Sequence, residues 1–273
     1  MIFIFVALYC EAEPLIRRYG LKADGRNPFG GFASGDGRMR VILTGVGKTN
    51  AAAAVSYVCA SDNVTSSDLL VNIGTCAGGR NRDGAYLINA VRDDDTGRMY
   101  YPDMLYDTGL PESQVTTVSV VATEEITSSD GDMLWEMEAS GFCDAARIFM
   151  PPHRVALIKA VSDRGSDDAA DITEEILQNT IDSSIDEISH ALDVLAAVKT
   201  DKAEDITADD EAELFKCSET MRQDLIKLLT YARNSGIDAD KILNDMRSEE
   251  LIPAADRRGG KEALNEFGRR LLE

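Results

Sequence analysis

The sequence predicts an α/β protein built in three layers around one sheet, with a purely helical region after it. Three observations carry this. Up to about residue 163, short apolar runs alternate with helical patterns. The runs are apolar on both faces, as strands covered by helices on each side must be. From Asp171 onward no strand pattern recurs and the apolar residues follow a helical period. The expected division is an α/β domain over 1–198 and an acidic helical extension over 199–273.

Each element has its local reason. Ile2 to Leu8 is a short apolar run rich in β-branched and aromatic residues, a buried strand. "EAEPLIRRYG" reads as a helix, with Pro14 tolerable in its first turn. "MRVILTGVGKTNAAAAVSYVCAS" reads as a strand, a glycine turn and an alanine-rich helix from about Asn50. "DLLVNIGTCAGG" is a strand running into a glycine-rich turn, and "AYLINAVRD" is a further strand followed by the loop "RMYYPDML". "VTTVSVVATEE" continues the β pattern. A helix is expected from Trp135 to Arg147, and "RVALIKAVSDRG" is the last strand, ending at Ser162 and Asp163.

In the extension, Ile181, Ile185, Ile188, Leu192 and Leu195 predict one long amphipathic helix to about Val198. "TDKAEDITADD" is a polar linker. Leu214, Met221, Leu225, Leu228 and Leu229 line a second helix ending near Gly236, and shorter helices are expected at 238–247 and 260–272. The apolar face of that second helix needs cover, and the short linker points to the α/β domain as its support.

Composition narrows the function. The chain has 273 residues, 44% hydrophobic, with a formal charge of -20. Such a surface repels phosphate backbones, so a nucleic-acid partner is not expected. Residues 164–273 carry 27 of the 48 acidic residues against 14 of the 28 basic ones. The apolar start "MIFIFVALYC" lacks the basic opening and cleavage site of a signal peptide, and no run reaches the ~18 residues of a membrane helix. Five scattered cysteines without metal spacing fit reduced thiols in the cytoplasm, and no metal site is expected. His153 and His190 are too few for a His-based triad.

Ligands of open α/β sheets bind beyond the strand C-terminal ends. Glu11 and Glu13 follow the first strand, "TGVGKTN" the next, "GTCAGG" the third and Asp163 the last. Two glycine turns and at least two carboxylates therefore converge on one sheet edge. Glu136 and Glu138 open an otherwise apolar segment. By themselves they also suit a helix start, just as Asp163 suits a turn cap.

The motifs "ALYCEAEPLI", "VILTGVGKTNAA", "NIGTCAGG", "WEMEASGF" and "IKAVSDRG" occur in this order in the superfamily of purine nucleoside phosphorylases and methylthioadenosine/S-adenosylhomocysteine nucleosidases, which residues 1–198 resemble. The resemblance implies a phosphorylase-like fold with a mixed, mostly parallel sheet. It also implies cleavage of the N-glycosidic bond of a purine nucleoside, 5′-methylthioadenosine or S-adenosylhomocysteine among the candidates. Asp163 matches the general acid to the purine N7, and Glu138 in "MEA" the acceptor of the ribose hydroxyls. Met137 would lie against the sugar, with Glu136 sharing the motif. Glu11 matches the base that activates water, with Glu13 as the alternative. Thr75 and Cys76 match the turn that holds the nucleophile. A nucleophilic Cys76 lacks a nearby His in sequence, and free Cys is usually a small hydrophobe.

The phosphorylases' N-terminal phosphate motif is missing, which favours hydrolysis without a cofactor; phosphate would be co-substrate only in the alternative, phosphorolytic reading, held by Arg80 or Arg164. A further alternative is a silent nucleoside-binding or scaffold protein. The resemblance also implies a homodimer, and places "YYPDML" near the sugar's 5′ end.

Overall fold

The computed structural model describes residues 1–25, 28–79, 81–121, 133–165, 171–198 and 208–272. The chain divides into two compact units, Met1–Thr200 and Asp201–Glu273.

The first unit is built on β1 (Ile2–Val6), β4 (Met39–Leu43), β5 (Leu69–Gly78) and β10 (Val155–Asp163), which lie side by side and parallel in the order β4–β1–β5–β10. Antiparallel β3 (Gly31–Ala33) and β2 (Lys22–Ala23) extend the sheet beyond β4. On the other side the sheet curls. β10 pairs antiparallel with β6 (Ala85–Asp93), and β6 pairs parallel with β8 (Glu112–Thr117). β8 pairs parallel with β9 (Leu134–Glu136), and β9 returns antiparallel to β5. Strands β5, β10, β6, β8 and β9 thus form a closed ring, with β7 (Met99–Tyr100) flanking β6. The sheet is mixed, parallel along β4–β1–β5–β10 and again along β6–β8–β9, with antiparallel pairs joining the two runs.

Strand alternation sorts side chains into two cores. Phe3 and Phe5 face α2 (Lys48–Ser61) and α3 (Ala139–Phe149), packing with Val55, Val58, Phe142 and Cys143. Ile4 and Val6 face α1 (Tyr9–Tyr19), α4 (Glu174–Ser183) and α5 (Ile185–Ala197), packing with Leu15, Ile181, Ile188 and Leu192. These are the three layers.

Several local expectations are revised. Helix α1 starts at Tyr9, so Pro14 lies inside it rather than in its first turn. "GTCAG" belongs to β5, because Thr75 and Cys76 pair with Ala160 and Val161 of β10. The helix expected from Trp135 starts at Ala139; Trp135 and Glu136 are strand residues paired with β5 and β8. The long helix to Val198 breaks at Ser184, where hydroxyl side chains compete with the backbone: Ser183 Oγ donates to the Thr180 carbonyl at 2.9 Å. The end of "VTTVSVVATEE" and most of "TDKAEDITADD" lie outside the described residues.

In the second unit, α6 (Asp209–Leu214), α7 (Glu219–Asn234), α8 (Ala239–Ser248) and α9 (Arg257–Leu271) enclose one core around Phe215, Leu225, Leu243, Met246 and Phe267. What read as one helix through Leu214 and Leu225 is two, because Ser218 caps α7 by accepting from the Met221 amide. Asp238 and Asp256 cap α8 and α9 in the same way. The apolar face that pointed to the α/β domain for cover is buried by helices of its own unit.

Candidate active site

A cavity of about 240 Å³ opens where β1, β5 and β10 end. At about 30 Å³ per water, it has room for a small organic ligand rather than a few solvent molecules. Ala7 and Leu8 arrive from β1, Thr75 to Ala77 from β5, Ser162 and Asp163 from β10, and Trp135 to Glu138 from the link between β9 and α3. Parallel strands deliver all their C-terminal ends to one edge, which is why residues so distant in sequence meet there.

Glu11 is 4% exposed and fixed on both oxygens. Oε1 accepts from the Thr75 amide and hydroxyl, each at 2.7 Å, and Oε2 from the Leu8 amide at 3.1 Å. Glu13 turns away, pairing with Arg17 and accepting from Gln178. The cavity therefore receives Glu11 and not Glu13.

Glu138 is the N-cap of α3 and 7% exposed. Its Oε1 accepts from the Gly47 amide at 2.8 Å, leaving Oε2 for a ligand. Gly47 has φ 103°, a positive-φ backbone that suits glycine. Burial, and next the charge of Glu136, push the Glu138 pKa up to about 7.

Glu136 does not face solvent. It forms a 2.8 Å ion pair with Lys159, both side chains 1% exposed. It also accepts from the Thr117 hydroxyl at 2.6 Å and from the Glu138 and Ala139 amides at 2.9 and 2.8 Å. With both oxygens engaged, it frames the site and braces the start of α3, a different part from the sugar ligand its motif suggested. Burial opposes the charge of Lys159, but Glu136, Glu138 and Glu11 outweigh it and hold its pKa above the ordinary value.

Asp163 ends β10 beside a bulge. Its Oδ2 accepts from Ser162 Oγ at 2.6 Å and its Oδ1 from the Gly165 amide at 2.7 Å. Asp163, Ala77 and Trp135 are register partners across β10, β5 and β9, and all three line the cavity. Met137 lines the cavity and packs against Val118 and Trp135. Cys76 lines it too, but its thiol donates to the Ala160 carbonyl at 3.6 Å, and burial pushes its pKa up, so it stays a protonated hydrophobe and is no nucleophile.

Two expectations fail here. Arg164 donates to the Gly79 and Arg82 carbonyls and pairs with Asp83, so its guanidinium is engaged by these three residues instead of awaiting an anion; Arg80 lies outside the described residues. "YYPDML" does not reach this cavity. The β6–β7 pairing carries it away, and Tyr100, Tyr101 and Pro102 line a separate cavity of about 270 Å³ with Cys143 and Val155.

Sequence reasoning overlooked Lys159, Thr117, Trp135 and the Gly47 amide. Lys159 did leave a signal, since a lone lysine inside "VALIKAVSD" on a strand covered on both faces must be buried, hence paired. Among the described residues no cluster of His, Cys, Asp and Glu is arranged to hold a metal, and no helix is long and apolar enough to cross a membrane.

No family model matches the chain, and no curated protein matches it in sequence. Solved structures do. A 5′-methylthioadenosine/S-adenosylhomocysteine nucleosidase from Colwellia psychrerythraea, in complex with adenine, matches 73% of this chain and 97% of its own at 18% identity, with a TM-score of 0.60. The apo 5′-methylthioadenosine nucleosidase of Arabidopsis thaliana matches 72% of this chain and 96% of its own at 16% identity, TM-score 0.60. The nucleosidase of S. pneumoniae with a transition-state inhibitor matches 71% of this chain and 99% of its own at 15% identity, TM-score 0.58. The Met1–Thr200 unit therefore shares the fold of these nucleosidases, and a helical unit, Asp201–Glu273, follows it in the chain.

Proposed function

We propose that the Met1–Thr200 unit hydrolyses the N-glycosidic bond of a purine nucleoside. The observation that carries this reading is the convergence of Glu11, Glu138 and Asp163 on one cavity, each already held by protein donors, on a fold shared with nucleosidases. Breaking the bond between sugar and base builds positive charge on the ribose and negative charge on the purine. Glu138 accepts hydrogen bonds from the ribose hydroxyls, and these strengthen as the sugar becomes cationic. Asp163 donates its proton to N7 as the C1′–N9 electron pair passes to the base. Glu11 takes a proton from water as the water oxygen bonds to C1′. The products are the free base and the sugar carrying a new 1-hydroxyl.

Hydrolysis is favoured over phosphorolysis because the cavity is lined with carboxylates, and a phosphate dianion entering it would meet their charge at low dielectric. The apolar residues Leu8, Val46, Ile172 and Leu177 on its wall make adenine nucleosides with a 5′-thio group the first candidates, as the names of the structural neighbours also do. A homodimer and a cytoplasmic setting complete the proposal.

The test is base release from a nucleoside panel with and without phosphate. Free adenine and reducing sugar at the same rate in both buffers is the expected result. Ribose-1-phosphate as the main product would move the protein to phosphorolysis, and tight binding without turnover would make it a nucleoside sensor.

A further inference from the structure

We propose that Asp93 is a positioning residue for Glu138, clasping the starts of α2 and α3 together through Lys48 and Ser140. The clasp rests on the nucleosidase reading for its ligand and on the hydrogen bonds themselves for its geometry.

Asp93 ends β6 and is 5% exposed. Its Oδ2 accepts from Lys48 Nζ at 2.9 Å and from Ser140 Oγ at 2.7 Å. Its Oδ1 accepts from the Thr96 amide and hydroxyl, each at 2.9 Å, which leaves the carboxylate little freedom to turn. Lys48 is the first residue of α2 and directly follows Gly47; Ser140 is the second residue of α3 and lies two beyond Glu138. One carboxylate oxygen thus bridges two helix starts, right beside the 2.8 Å contact between the Gly47 amide and Glu138.

The approach is close. A Cβ on Gly141 would lie 1.9 Å from the Lys48 carbonyl oxygen, so only glycine admits it. Helix N-termini carry partial positive charge, and bringing two together requires negative charge near them. Asp93 supplies it from outside the cavity lining, so Glu138 is left to the ligand. Burial alone would raise the Asp93 pKa, but the bonds from Ser140, Lys48 and Thr96 outweigh it and keep the group ionised. A long glutamate side chain held in advance loses less freedom when it grips a sugar.

The experiment compares Asp93→Asn and the milder Ser140→Ala with wild type in the full chain. The first readout needs no ligand: hydrogen exchange at the Gly47 amide. Loss of a bond to a charged group should speed it about tenfold or more in Asp93→Asn, and less in Ser140→Ala. The second readout is affinity. Free adenine should bind all three proteins alike, as should 2′,3′-dideoxyadenosine, whereas adenosine should bind Asp93→Asn about tenfold more weakly. A merely structural loss would weaken all three ligands together. Unchanged Gly47 exchange, or equal weakening of adenine and adenosine, overturns the clasp. If wild type binds none of these ligands, the nucleosidase reading falls, and Gly47 exchange still decides whether the clasp exists.

Discussion

The two units use charge in opposite ways. Met1–Thr200 buries Glu11, Asp93, Glu136, Glu138 and Lys159, whereas every charged residue described in the helical unit lies outside its core of Phe215, Leu225, Met246 and Phe267. Burying a charge is expensive unless it is paired and hydrogen-bonded. The first unit bears that cost at the cavity, where each carboxylate has its own donors, and again at Arg40, paired with Asp24 and Asp62, and at Arg154, which donates to the Ser67 and Asp68 carbonyls. The helical unit folds by the inexpensive rule, apolar inside and charged outside, and nothing in its described interior is equipped for acid–base chemistry. A buried charge network thus separates the candidate catalytic unit from its neighbour more sharply than net charge does.

The comparison breaks most easily at Lys159. Replacing it with Met leaves Glu136 buried without its cation and should destabilise the first unit by about 3–5 kcal/mol. Arg270→Met removes a surface partner of Glu249 and Glu266 and should hardly move the unfolding midpoint. Denaturant melts of both variants decide. Equal, small effects would show that the buried pair matters no more than a surface one.

Chemistry is the next lever. Asp163→Asn and Glu11→Gln should each slow base release by at least ~10²-fold. The melting temperature should change little in Asp163→Asn, whose amide is nearly isosteric, and should fall in Glu11→Gln, whose NH2 must face a donor that the carboxylate now satisfies. Turnover within a few-fold of wild type would reduce Asp163 to a turn cap and Glu11 to a brace for Thr75.

The pH dependence sharpens the contrast. Glu138 titrates near 7 in the folded unit against an ordinary 4.5, so between those values the unfolded chain has lost a proton that the folded chain keeps. Its contribution therefore lowers stability as pH rises from about 4.5 to about 7. Ligand affinity should move the other way, since the anion accepts ribose hydroxyls better. Adenosine affinity should increase as pH rises through about 7 and lose that dependence in Glu138→Gln. A wild-type titration that is flat there refutes the assignment.

The smallest effect is expected from ending the chain after Thr200. All candidate groups and both cores of the first unit precede that point, so activity should stay within about twofold. Activity lost with the helical unit would mean that the units are coupled, and the contrast between them would no longer describe function.

Much of this was legible in the residues. Alternating patterns announced the strands and helices of the first unit, and the ordered motifs pointed to Glu11, Glu138 and Asp163 before any geometry was known. The errors have a common origin. "GTCAG" read as a turn from its glycines, yet β10 pairs with it and makes it strand. Trp135 read as helical from its neighbours, yet β5 and β8 claim it. Glu136 read as part of a sugar-binding motif or as a helix-start acid until Lys159, 23 positions away, proved to lie against it.

By itself the sequence determined the fold class, because periodicity is a local property of the chain, while its resemblance to a known superfamily nominated the candidate carboxylates. Tertiary structure decided which carboxylates are available. Glu13 is turned to the surface, Glu136 is held by Lys159 and three further donors, and Glu138 keeps one oxygen open. The physical reason is that a carboxylate's role depends on how many donors reach it and how much water is excluded, and both come from strands and helix starts distant in sequence.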